Sequence, residues 1–128
     1  MCKDNPLVQE GLTLETFLAA PHVVTNFFLN DGRSHFENWL KQEQFDIQIA
    51  ASLPSFVVLP YYIAGTRNIT TIHKRLLSQQ GYFDQLVALP PPREVPDLTE
   101  NLVWNDHHQY DPQAQLMREV MLEIGDSL

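Results

Sequence analysis

A single cysteine, Cys2, stands in the 128 residues. No disulfide can close within the chain, and this sparse thiol usage points to a reducing, cytoplasmic setting. Cations are also scarce: eight Lys and Arg face sixteen Asp and Glu, for a net charge of −8. A surface that grips nucleic acid through phosphates needs clustered positive charge. The tightest group here, His73-Lys74-Arg75, reads as a solvated helix face. No apolar run reaches the ~20 residues that a membrane-spanning helix needs. The first ten residues, MCKDNPLVQE, lack the apolar middle of a signal peptide. No Gly-x-Ser-x-Gly elbow and no nucleophile with a base and an orienting group can be assembled, which argues against an enzyme. His107 and His108 are adjacent and have no carboxylate or cysteine cluster at ligand spacing, so no metal site is expected.

What is present suits one compact domain. Hydrophobic residues make up 44% of the chain, enough for a core of ordinary density. Asn5-Pro6 opens a loop. Thr13 can cap a helix through Ala19, with Leu12 and Phe17 placed as a hydrophobic staple, and Pro21 ends it. HVVTNF has the length and apolarity of a strand. Ser34 followed by Glu37 is a capping-box pattern for a helix whose Phe36, Trp39 and Leu40 share a face. DIQIAAS is a strand with Ile47 and Ile49 on one side. NITTI reads as a strand and HKRLLSQQG as a short helix stopped by Gly81. DQLVALP and NLVWN are further strands, separated by the stiff proline connector LPPPRE. Asp111 caps a final helix with Pro112 in its first position and Gly125 as its stop. Leu116, Met117, Val120, Met121 and Ile124 form its apolar stripe. Helices alternating with short strands predict an α/β domain with a mostly parallel open sheet and helices on both faces.

The awkward stretch is SLPSFVVLPYYIAGTRNITTI, residues 52–72, an apolar run with two prolines. It reads as a strand end, a helix capped by Ser55 that stops near Gly65, and a next strand. Pro60 then falls early in the helix and removes the N–H that would bond the Phe56 carbonyl, predicting a kink or a tight first turn. In open α/β sheets ligands bind beyond the carboxyl ends of the strands, where helix N-termini offer free N–H groups. That rule nominates Thr25, Asn26 and Phe27 after the first strand, Ser52 and Ser55 after the second, and Thr71 after the third.

The segment PSFVVLPYYIAGTRNITTIHKRLL resembles the second half of the effector-binding domain of LysR-type transcriptional regulators, most closely the branch that contains the nodulation regulators. NPLVQEGLTLETFLAAPHVV is similar to that family's passage from the hinge into its second subdomain. LVALPPPREVPDLTENLVWNDHHQYDPQAQLMREVM is similar to its closing run. The resemblance implies half of a periplasmic-binding-protein-like type II fold. Residues 1–97 would be the second effector-binding subdomain. Residues 98–128 would be the return hinge strand and C-terminal helix that belong with a first subdomain. The family's N-terminal helix-turn-helix and first subdomain precede the point where this sequence starts.

The resemblance further implies a small-molecule effector held between subdomains, with Thr25, Asn26, Phe27 and Ser55 on one wall. It implies no cofactor, DNA contact only through the helix-turn-helix, and a homo-oligomer, with the C-terminal stripe available for self-association. A chain with half a cleft should bind effector weakly or not at all. The competing reading is a free-standing small-ligand-binding α/β module of the solute-binding type.

Overall fold

The computed structural model describes residues 1–26, 34–78, 81, 83–99 and 101–127. It divides into two units, Met1–Pro96 and Asp97–Leu128. In the first unit, α1 (Leu7–Glu10), α2 (Leu14–Ala19), β1 (Pro21–Thr25), α3 (His35–Gln42), β2 (Gln48–Leu53) and α4 (Leu59–Ile63) follow in order. A 3-10 turn, Phe56–Val58, precedes α4, and another spans Lys74–Ser78.

The caps form where short-range chemistry dictates. The Thr13 hydroxyl accepts from the Thr16 N–H, and Thr16 Oγ1 accepts from the Thr13 N–H. Ser34 and Glu37 reciprocate in the same way, at 3.2 and 2.8 Å. Each box satisfies N–H groups that a helix start otherwise leaves unpaired. The structure adds α1, which the sequence reading treats as loop. Asn5 Oδ1 accepts from the Leu7 N–H, its Nδ2 donates to the Arg67 carbonyl, and Gly11 ends the turn at φ +87°.

β1 and β2 pair in parallel, with α3 as the crossover. The register runs Pro21–Gln48 and His22–Ile49, then slips by one residue at Ala50, and continues Val23–Ala51, Val24–Ser52 and Thr25–Leu53. On the other side of β1, Ile69 exchanges hydrogen bonds with it: its N–H donates to Pro21 and its carbonyl accepts from Val23, both at 2.9 Å. The strand expected over NITTI is thus reduced to a single bridge at Ile69. DQLVALP likewise contributes only an antiparallel bridge between Leu86 and Cys2.

β1 is covered on both faces. Val24 belongs to a cluster with Phe17, Ala20, Phe36, Trp39, Leu40 and Ile69, built from α2 and α3. Its neighbour Val23 points the other way, to Leu53, Leu59 and Ile63 of the α4 side. The α/β class with helices on both faces of a parallel sheet therefore holds. The proline connector is tied back to the end of α3 by Arg93, which pairs with Glu43 at 2.9 Å and lies 5.9 Å from the Phe45 ring centre.

In the second unit a 3-10 turn, Asp106–His108, leads into α5 (Pro112–Ser127). Asp111 Oδ1 accepts from Gln113 and Ala114 N–H groups. Arg118 donates to the carbonyls of His108 and Gln109 and sits 5.1 Å over Trp104, which joins helix and turn. Residues 101–105, expected as a strand, form none; the Asn105 carbonyl instead accepts from the His108 N–H at 3.0 Å. Gly125 does not stop α5, which continues to Ser127. The expected stripe of Leu116, Met117, Val120, Met121 and Ile124 is 41–60% exposed.

Leu59 has no exposed surface, whereas Tyr61, on the same helix, is 75% exposed. Leu59→Ala should cost about 2–5 kcal/mol in urea denaturation. Tyr61→Ala should stay within about 0.5 kcal/mol. Equal effects would contradict the assignment of α4's inner face.

Candidate functional site

The carboxyl ends of β1 and β2 meet at Thr25 and Leu53, and the Asn26 N–H extends the pairing by donating to the Leu53 carbonyl at 2.8 Å. Thr25 is buried. Alternation along β1 places its side chain on the α4 face, because Val24 belongs to the α2–α3 cluster and Val23 to the opposite one.

Ser55 follows β2 in extended backbone, φ −157° and ψ 143°, and its Oγ accepts from the Val57 N–H at 3.2 Å. The predicted cap is therefore made, and the hydroxyl proton remains available to donate. The helix beyond it starts as a 3-10 turn, in which the Leu59 N–H donates to Phe56 O. This resolves the proline problem. Pro60 has no N–H to give Phe56, and the tighter turn supplies that carbonyl with a donor one residue earlier. Pro60 is itself buried at the start of α4, and Gly65 closes the segment at φ +69°. Since α4 spans only Leu59–Ile63, few peptide dipoles align behind Ser55, and the field there is weaker than a long helix would give.

Ser52 stands apart from this group. It pairs with Val24, so its side chain shares the α2–α3 face rather than the face of Thr25, and it is exposed. Phe27 lies outside the described residues. The structure thus brings Thr25, Asn26 and Ser55 to one end of the parallel pair and leaves Ser52 on the opposite face.

Two nearby features escape sequence reasoning. The His73 ring lies edge-on to Phe56, with centroids 5.3 Å apart at 76°, which couples the end of the third segment to the lip behind Ser55. Thr70 carries a buried Oγ1 with no hydrogen-bond partner. Ile69 packs in the α2–α3 cluster and Ile72 in the α4 cluster, so alternation puts Thr70, and not the nominated Thr71, on the face of Thr25. No local signal separates two adjacent threonines; only the pairing of Ile69 with β1 does. The lip formed by Thr25, Asn26 and Ser55 offers hydroxyl and amide groups without formal charge, suited to hydrogen-bonding a ligand rather than ion-pairing it. Among the described residues, no group of three or more His, Cys, Asp or Glu is arranged to hold a metal ion.

Because Ser55 satisfies a backbone donor of its own turn, Ser55→Ala should lower stability by about 1 kcal/mol, within the range of cap removals. Ser52→Ala, on an exposed face, should change it by less than about 0.5 kcal/mol. Thermal denaturation of the two variants checks the contrast, and equal losses would contradict the cap.

Comparison with known proteins follows the same lines. The LysR substrate-binding domain profile matches residues 2–125. Nodulation protein D 3 of Rhizobium leguminosarum bv. phaseoli is 27% identical over 125 residues, covering 95% of this chain and 40% of that protein. Nodulation protein D 1 of Rhizobium meliloti (strain 1021) is 29% identical over 126 residues, with 95% and 40% covered. The chain therefore spans about two fifths of the length of these curated relatives. Among solved structures, the regulatory domain of MexT, a transcriptional activator in Pseudomonas aeruginosa, superposes with a TM-score of 0.66 at 24% identity, covering 86% of this chain and 55% of that one. That likeness speaks to the fold. With a family match over almost its entire length, the chain belongs to the LysR substrate-binding domain family.

Proposed function

We propose that residues 1–97 are the second effector-binding subdomain of a LysR-type DNA-binding transcription regulator, and that residues 98–128 are the return segment and closing helix that pack with its first subdomain. The observation that carries this reading is the family match over residues 2–125. A division into compact units between Pro96 and Asp97, one residue earlier, is in keeping with that boundary. The family match also favours a regulator over a free-standing solute-binding module.

In this reading the chain is a sensor and not a catalyst. A small-molecule effector lies between the two subdomains, with Thr25, Asn26, Phe27 and Ser55 along the lip contributed by this chain and Ser52 flanking it from the other face of the sheet. The uncharged lip described above suits an effector with hydroxyl, carbonyl or aromatic character on this side. Effector closes the subdomains and shifts the arrangement of helix-turn-helix heads on promoter DNA, because it binds the closed form better than the open one. The parent protein works in the cytoplasm as a homo-oligomer. Its DNA contacts come from the helix-turn-helix and not from this acidic chain. The exposed stripe of α5 is the surface the first subdomain covers; in the isolated chain, a second copy covers it instead.

Two measurements test this. In the full-length regulator, Thr25→Ala, Asn26→Ala and Ser55→Ala should each raise the effector concentration for half-maximal reporter response, with about tenfold expected where a buried hydrogen bond of about 1.4 kcal/mol is lost. An unchanged response in all three would remove the lip from the site. For the isolated chain, sedimentation at high concentration should give twice the chain mass. A monomer whose α5 amides are strongly protected from exchange would contradict self-association through that helix.

A further inference from the structure

His22 is a titratable side chain with no exposed surface, and the effector reading makes no use of it. Its ring meets Phe17 edge-on, with centroids 4.7 Å apart, and stacks on Phe36 at 6.1 Å and 25°. Phe36 stacks in turn on Trp39 at 5.7 Å. The ring thus joins α2 to α3 across the face of β1.

Its polar atoms are unequally served. Nε2 lies 2.8 Å from the carbonyl oxygen of Phe17. That carbonyl would normally receive the N–H of residue 21 as the last turn of α2 closes, but residue 21 is proline and has none. The side chain one position further on supplies the missing donor. A carbonyl can only accept, so Nε2 carries the proton and the neutral ring leaves Nδ1 as a bare acceptor. Nδ1 is buried without a hydrogen-bond partner.

The site therefore accommodates the neutral ring. A second proton, on Nδ1, would bring both a charge and an unmatched donor into an aromatic cluster. Burial holds the His22 pKa below the ordinary histidine value, against a weaker upward pull from the Phe17 carbonyl. The charged groups of the surrounding elements do not offset that penalty. On α2, Glu15 is exposed. On α3, Glu37 is committed to the Ser34 N–H, His35 bonds the Pro96 carbonyl, and Lys41 is exposed. Glu43, just beyond α3, is paired with Arg93. Asp46, before β2, and Arg67, before the bridging Ile69, are exposed.

We infer that His22 is a proton-sensitive pin, which holds α2 and α3 against β1 while neutral and loosens that side of the subdomain, together with the strand end carrying Thr25 and Asn26, when its ring is protonated. The effect on Thr25 and Asn26 as ligand groups rests on the effector reading; the pin itself does not. The sign follows from linkage. The unfolded ring titrates near about 6.5 and the folded ring lower. The unfolded chain therefore binds the extra proton, and stability is full above about pH 6.5 and declines as pH falls toward the folded pKa.

The test uses a Trp104→Phe chain, which leaves Trp39 as the sole indole reporter. Urea unfolding followed at pH 7.5 and 5.5 should show the folding equilibrium constant dropping by up to about tenfold at the lower pH on account of this one group. His22→Phe should remove that part of the drop while leaving the contribution of carboxylates. An undiminished pH dependence in the Phe variant would overturn the proposal. If the variant does not fold, NMR titration of the unmodified chain decides. A His22 pKa below 6.5 with the proton on Nε2 supports the pin, and a value at or above 6.5 overturns it. Neither measurement involves an effector, so its outcome is independent of whether the lip binds one.

Discussion

Burial of β1 on both faces is the constraint on which the first unit depends. The strand spans Pro21–Thr25, and its last four residues are all buried. Successive side chains feed different clusters: Val23 goes to the α4 side and Val24 to the α2–α3 side. Such a strand buries consecutive positions, so Val23 and Val24 are apolar in succession and the flanking His22 and Thr25 are buried with them, without the polar alternation of a half-solvated sheet. Parallel pairing on one side also demands a crossover long enough to return the chain, and α3 is that crossover. It can lie against β1 because Phe36, Trp39 and Leu40 fall on one helical face and are buried there.

How well the sequence foretells this structure depends on the range of the forces involved. Thr13, Ser34, Ser55 and Asp111 all cap as expected, because a side-chain oxygen and the backbone N–H two or three residues on are placed by local geometry alone. The turn around Pro60 was legible for the same reason. The strands beyond β2 were not. NITTI has strand composition, yet Ile69 alone pairs, and Leu86 alone pairs with Cys2. Whether a β-prone run joins a ladder is decided by its distant partner, not by its own side chains. Gly125 misleads in the opposite sense. Glycine inside a helix costs about 1 kcal/mol relative to alanine, a penalty that slows a helix but does not end one unless the backbone turns left-handed, and α5 runs on to Ser127.

His22 shows how a locally read stop has non-local consequences. Pro21 ends α2, as its fixed ring and missing N–H require. The same missing N–H leaves the Phe17 carbonyl without a helical donor, and the structure meets that need with an imidazole from the core. From sequence, His22 reads as one of several scattered histidines with an ordinary surface or partly buried role, whereas its ring has no exposed surface. Its pairing with an orphaned carbonyl becomes visible only when the end of α2 and the start of β1 are placed together.

The candidate site was legible as a place but not as a set of directions. The rule that ligands gather beyond the carboxyl ends of parallel strands points to the meeting point of β1 and β2, where Thr25 and Asn26 end one strand and Ser55 follows the other. What it cannot supply is the face each side chain takes, and here the slip at Ala50 matters. Ile47 packs with the α2–α3 cluster. Uninterrupted alternation from it would carry Ala51 and Leu53 to that cluster and turn Ser52 toward Thr25. Ala51 and Leu53 instead belong with the α4 cluster, because the extra residue at the bulge exchanges the two faces of the strand. The exchange brings Leu53 over Leu59 and Ile63, where the core of that side requires it, and sends Ser52 to the opposite, exposed face. A single inserted residue thus completes one hydrophobic cluster and removes one hydroxyl from the lip, an outcome that follows from register and that no count of serines and threonines along the strand could anticipate.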